Sequence, residues 1–187
     1  MHMAGHSQTG LACGASLAAY AAGTIHRHEL TRPDKEDDRV NHMAALDAQT
    51  GPVLLAYRPN PALTQVLDDI TRRAAAPEID VTADDGVRHI LWAVEDQASL
   101  DNIQRAADTL KHLYIADGHH RSAAAARVAK ARGETAGRFL AVLFPSDELL
   151  ILAYNRVVRD LGSLSEVEFL ARLDKKFIVT LADTPVQ

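Results

Sequence analysis

With 187 residues, 47% of them hydrophobic and 24% charged, the chain has the makeup of an ordinary soluble globular domain, which excludes collagen-like, disordered and coiled-coil classes. Twenty Lys and Arg against 25 Asp and Glu leave a formal charge of −5, so the overall balance offers nucleic acid no general attraction and DNA is disfavoured as a partner. The single cysteine, Cys13, rules out an internal disulfide. With no apolar run near the roughly 18 residues of a membrane span and no secretion leader, no membrane partner is expected and the expected address is the cytoplasm.

In chain order, Gly10 to Ala15 reads as a strand, and Ala15 to Gly23, with Leu17 and Tyr20 at helical spacing, as a short helix. Thr31 ahead of Asp34, with Pro33 in the first turn, predicts a capped helix bearing Val40, Met43 and Ala44 down to about Asp47. Val53 to Tyr57 predicts a buried strand, and Asn60-Pro61 opens a helix whose apolar face is Leu63, Val66, Leu67 and Ile70. Ile79 to Ala83 and Val87 to Val94 flank Asp84-Asp85-Gly86, whose Asp-Gly step accepts positive φ and therefore predicts a hairpin. Leu100, Ile103, Ala107 and Leu110 form a helix face after Ser99, and Leu113 to Ala116 a short strand. Ser122 to Arg132 predicts a helix stopped by Gly133. Phe139 to Phe144 and Leu149 to Tyr154 predict a second hairpin around Pro145 to Glu148, and Phe177 to Leu181 a last strand. Between them, Ser165 and Glu168 make a capping box opening a helix to about Asp174. Hairpins among alternating elements argue against a purely parallel sheet. The expected class is α+β, a mixed β-sheet with flanking helices, in a single domain over residues 4–187.

The densest polar cluster is Asp117-Gly118-His119-His120-Arg121, between the strand ending at Ala116 and the helix from Ser122. A strand, a tight turn and a helix start make an anion site: the first helical amides lack partners, the macrodipole places partial positive charge there, Gly118 admits close approach and Arg121 forks two oxygens. Phosphate is the natural guest. The plain alternative is that Asp117 merely caps the helix and the histidines face solvent. The second cluster, His26-Arg27-His28-Glu29, runs into Arg32, Asp34, Lys35, Glu36, Asp37, Asp38 and Arg39. A zinc-protease helix does not fit, because Arg32 stands where the second histidine belongs, and Cys13 is alone. Mg²⁺ stays open, since it needs only one or two carboxylates. Phosphate loops of the GxxxxGKS type, GxGxxG turns and serine elbows are absent. Asn155-Arg156, at the end of the strand expected from Leu149, reads either as a loop or as aimed at the Asp117 edge.

Three motifs resemble those of the domain of unknown function 1015 family: His28-Glu29 with Lys35-Glu36-Asp37-Asp38-Arg39, then Tyr114 to Arg121, then Asn155-Arg156-Val157-Val158. Asn155 departs from the pattern, where relatives commonly carry histidine. Relatives of this kind are longer at both ends, so the chain resembles a central fragment. The family in turn is similar, around this turn, to the ParB/sulfiredoxin superfamily, in which the corresponding turn and helix start hold nucleotide phosphates. Cys13 is not in the turn, where sulfiredoxins carry their reactive cysteine, so sulfinic acid reduction is disfavoured.

The resemblance and the residues together imply a nucleotide- and phosphate-binding domain, an ADP- or ATP-dependent phosphotransferase acting with Mg²⁺ on a small hydroxylated metabolite such as free serine. In that scheme Gly118, His119, His120, Arg121 and Ser122 hold the nucleotide, a histidine of the pair, His120, contacts the transferred group, Asp117 steers Mg²⁺ or the acceptor, and Glu29 is the base. The alternative is a non-catalytic nucleotide-sensing or chromosome-partition-like binding protein. A shared site requires Glu29 and the Asp117 turn to face one cleft.

Overall fold

The computed structural model of the chain describes residues 1–3, 5–73, 76–133, 137–152 and 156–180. They fall into two compact units, residues 1–149 and 150–187. In chain order the first unit contains β1 (His2–Met3), β2 (His6–Ser7), β3 (Leu11–Ser16), α1 (Leu17–Ala21), β4 (Ile25–His26), α2 (Pro33–Leu46) and β5 (Val53–Tyr57). It continues with α3 (Pro61–Arg73), β6 (Ile79–Thr82), β7 (Arg88–Leu91), α4 (Gln97–Ala107), β8 (Leu113–Asp117), α5 (His119–Ala131) and β9 (Arg138–Pro145). The second unit holds α6 (Glu166–Asp174).

The class is α+β, as expected, and both sheets lie in the first unit. A five-stranded sheet has the order β3-β9-β5-β8-β4 and is mixed: β3 with β9 and β5 with β8 run antiparallel, β9 with β5 and β8 with β4 parallel. A four-stranded antiparallel sheet, β2-β1-β7-β6, includes the hairpin expected around Asp84-Asp85-Gly86, with Ile79 opposite Leu91 and Gly86 at φ 81°.

The five-stranded sheet carries the core because its strands alternate. Val53, Leu55 and Tyr57 on β5, Phe139, Ala141 and Leu143 on β9, Ile115 on β8 and Ile25 on β4 are all buried, together with Leu63, Leu67, Ala106 and Ala125 from the helices. Full burial of each large aliphatic or aromatic side chain contributes about 1.5–3 kcal/mol. The alanine run of α5 turns out to be structural: Ala124, Ala125 and Ala129 are buried, and their small side chains let the helix lie close to β9 and β5. That close seat fixes where the N-terminus of α5 stands. On its outer side α5 is clamped to α2 by Arg127, which reaches Glu36 at 3.2 Å and Asp37 at 2.7 Å.

Among the described residues, one buried side-chain polar atom is unsatisfied. The Tyr57 hydroxyl is buried with no hydrogen-bond partner, and burial, with Glu148 and Asp147 near it, pushes its pKa up to about 12. A phenol harder to ionise in the folded chain leaves its stabilisation intact below the unfolded pKa of about 10 and loses it as pH rises through about 12. Tyr57→Phe is expected to remove an unpaired polar atom without opening a cavity, raising Tm by a few degrees and flattening the loss of stability between about pH 10 and 12; thermal melts across that range check both.

The structure corrects four local expectations. The cap of α2 is Arg32, with no side-chain cap bond, while Pro33 takes the first turn as expected and Thr31 Oγ1 donates instead to Glu36. The helix expected from Ser122 begins three residues earlier, at His119. Described residues of the Leu149 to Tyr154 segment form no strand, because β9 already pairs with β3 on one side and β5 on the other; Ala153 and Tyr154 lie outside the described residues. Phe177 to Thr180 likewise form no strand, and Leu181 lies outside the described residues. In the second unit the Ser165–Glu168 capping box is formed in full, opening α6 to Asp174.

Candidate functional site

The chain crosses from β8 into α5 through Gly118, which adopts φ 103° and ψ 28°, a left-handed conformation that glycine takes without a Cβ penalty. The first intrahelical bond runs from Ser122 N to Gly118 O at 3.0 Å, so the amides of His119, His120 and Arg121 lie ahead of it. Four of the other helices cap such amides with side chains, Ser16 for α1, Asn60 for α3, Asp96 for α4 and Ser165 for α6, whereas α2, like α5, has no side-chain cap bond. Gly118 has no side chain to offer, and the start of α5 is left open.

Arg121 folds back over this turn. Its guanidinium pairs with Asp117, and a Cβ on Gly118 would stand 3.0 Å from its Nε, one on Gly51 3.2 Å from its Nη1. Two glycines thus make the slot in which the guanidinium lies. Asp117 ends β8 opposite Leu54, beside a shift of register on β5, and its carboxylate is largely exposed.

Glu29 arrives from the segment between β4 and α2. His28 N donates to His119 Nε2 at 3.4 Å and Arg32 N to His120 Nε2 at 3.2 Å, and the rings of His28 and His119 meet edge to face at 4.5 Å. An Nε2 that accepts from a main-chain N–H carries no proton, so a neutral ring holds its proton on Nδ1. His119 Nδ1 lies 3.4 Å from Glu29 Oε2. His119 is 3% exposed, and burial, with His28 and then His120 beside it, pushes its imidazole below the usual range against the opposite pull of Glu29 and Asp117. The Nδ1 edge of the ring thus faces the Glu29 carboxylate.

Glu29 and the turn therefore share one cleft of about 410 Å³, within the size range of small-molecule sites. Its far wall comes from residues that the sequence assigns to no site: Arg39, His42 and Met43 on α2, of which Met43 reads as part of an apolar stripe, and Thr50 and Gly51 on the way to β5. The helical spacing of 39, 42 and 43 puts them on one face of α2, a pattern present in the sequence but uninformative until α2 is known to pack on α5. With Arg39, His42, His120 and Arg121 facing Glu29 and Asp117, the cleft offers anion-binding groups beside two carboxylates.

Of the expected nucleotide-holding residues, Gly118, His119, His120 and Arg121 line the cleft. Ser122 does not: it is fully buried, its hydroxyl donates to His119 O at 3.0 Å and its amide is taken by Gly118. Cys13 sits on β3 against the core, where burial raises its thiol pKa, outside the cleft. Asn155 lies outside the described residues, and Arg156 belongs to the second unit. Among the described residues no three His, Cys, Asp or Glu side chains group as a metal site. No described helix is long and apolar enough to cross a membrane.

Residues 1–186 match the family model described as Protein of unknown function (DUF1015). No curated protein and no solved structure matches the chain.

Proposed function

Since the chain belongs to the DUF1015 family, whose description assigns no activity, we propose from its cleft that it binds a nucleoside di- or triphosphate and transfers a phosphoryl group to a small hydroxylated metabolite such as free serine. The observation that carries this reading is the meeting of Glu29 with the open start of α5: a carboxylate held 3.4 Å from His119 Nδ1 in the cleft floored by uncapped amides and Arg121. The strand-turn-helix at Asp117 to Arg121 also supports a ParB/sulfiredoxin-like fold for the first unit.

The amides of His119, His120 and Arg121 and the Arg121 guanidinium hold phosphate oxygens, where the helix dipole favours negative charge. Glu29 accepts the proton of the acceptor hydroxyl as that oxygen forms its bond to phosphorus and the bond from phosphorus to the departing nucleotide oxygen breaks. Asp117 orients the acceptor. The exposed Asp117 carboxylate beside Glu29 would suit Mg²⁺, which is bound by one or two acids together with phosphate oxygens, and leaves Glu29 free as the base. When bound, the ion neutralises phosphate charge that these carboxylates otherwise repel.

The test is Glu29→Gln, assayed with ATP or ADP, Mg²⁺ and hydroxylated acids. A general base contributes about 10²–10⁴-fold, so turnover is expected to fall by at least about 100-fold while calorimetric nucleotide affinity is retained. Unaltered turnover rejects Glu29 as base. Nucleotide binding without turnover in the unaltered protein replaces this reading with a non-catalytic nucleotide sensor, and absence of nucleotide binding overturns both.

A further inference from the structure

The two histidines of α5 invite a role in touching phosphate, yet each ring has its Nε2 already committed to the main chain of the segment that carries Glu29. His119 accepts from His28 N and His120 from Arg32 N, so two adjacent side chains at the start of one helix grip both ends of a five-residue stretch 91 and 88 positions away. That stretch has no regular structure of its own. Its middle points outward, with Leu30 95% exposed, so the apolar core does little to hold it. Two further ties flank the grip: Thr31 Oγ1 donates to Glu36, and the His28 ring meets the His119 ring.

We propose that His119 and His120 are positioning residues, whose Nε2 atoms tether the 28–32 segment by its backbone and so fix the Glu29 carboxylate over the start of α5. The Nδ1 edge of His119, 3.4 Å from Glu29 Oε2, then turns a proton toward the carboxylate, because accepting at Nε2 forces the proton of the neutral ring onto Nδ1. The groups facing His119 are His28 and Glu29 from the segment, Asp117 from β8 and His120 from its own helix; burial, with His28 and His120, keeps it neutral. The consequence for catalysis rests on Glu29 being the base. The tether does not.

The experiment is done on the whole chain at pH 8, without a ligand. Nitrogen-15 NMR of the imidazoles is expected to show both rings with Nδ1 protonated and Nε2 bare. Hydrogen–deuterium exchange is then followed at residues 28–32 in two double variants. His119→Ala with His120→Ala removes both acceptors, and exchange there is expected to rise about tenfold or more. His119→Gln with His120→Gln places an amide oxygen near each lost Nε2, and protection is expected to return towards the unaltered level. Protons on Nε2, or protection in the alanine pair equal to that of the unaltered chain, overturns the proposal. If the alanine pair fails to fold, the ring tautomers of the unaltered protein still decide it. Absence of any nucleotide binding to the unaltered chain defeats the phosphoryl-transfer reading and leaves the tautomer and exchange results intact, so the two failures are told apart.

Discussion

Arg121→Ala is expected to weaken binding of inorganic sulfate or of ATP by about 10- to 150-fold, the equivalent of about 1.5–3 kcal/mol for hydrogen bonds to a charged partner. The size of the effect follows from preorganisation. The guanidinium is held in a slot between Gly51 and Gly118 and paired with Asp117, so an arriving anion meets a donor fork whose conformational freedom is already reduced. Arg121→Lys keeps the charge and loses the fork, and an intermediate affinity is expected. Calorimetric titration at fixed ionic strength measures all three chains. Unchanged affinity in the alanine variant removes the start of α5 from consideration as an anion site.

Gly118→Ala is expected to be more damaging, because it acts on shape and on the site together. At φ 103° a Cβ costs about 1–2 kcal/mol, which for a chain of this size lowers Tm by about 2–8 °C. The new methyl group also stands 3.0 Å from Arg121 Nε, so the guanidinium leaves its slot and anion binding falls with stability. Gly133 provides the control. It follows α5 at φ 73°, and a methyl group added there meets nothing within 4 Å, so Gly133→Ala is expected to cost stability alone. Melting curves with and without sulfate separate the two: the sulfate-induced rise in Tm survives in Gly133→Ala and shrinks in Gly118→Ala.

What is legible in the sequence is local. Val53 to Tyr57 appears at its expected bounds because its run of apolar residues needs no partner to be recognised, the Asp84-Asp85-Gly86 hairpin because its turn chemistry is self-contained, and the Ser165–Glu168 box because both halves of the cap lie within one turn. Expectations fail where the answer lies elsewhere in the chain. The segment from Leu149 looks like the return strand of a hairpin, but whether β9 has a free edge is decided by β3 and β5, drawn from residues 11–16 and 53–57. The run of strong helix formers points to Ser122 as the start of α5 and Asp117 reads as its plain alternative cap, whereas the chain uses Gly118, which leaves the amides open and commits Ser122 to an internal bond to His119 O.

The site divides in the same way. Asp117 to Arg121 is readable as a turn with a helix behind it, and the family resemblance draws attention to Glu29. Their convergence requires tertiary structure, as does the wall of Arg39, His42, Thr50 and Gly51; α2 lies against α5, with Arg127 pairing to Glu36 and Asp37 across the contact. From sequence Arg127 reads as a cation favoured by the helix C-terminus; its partners lie 90 and 91 positions earlier.

Because the histidine grip on residues 28–32 is made to the peptide N–H groups of its two ends, it asks nothing of the side chain at the exposed middle. A residue such as Leu30, almost wholly in solvent, is thereby released from any duty to the architecture. The molecule separates a frame, which keeps Glu29 in place, from an adjacent surface position, Leu30, whose side chain takes no part in it. Such a position is where the surface beside the carboxylate can be altered, in evolution or by design, without disturbing it.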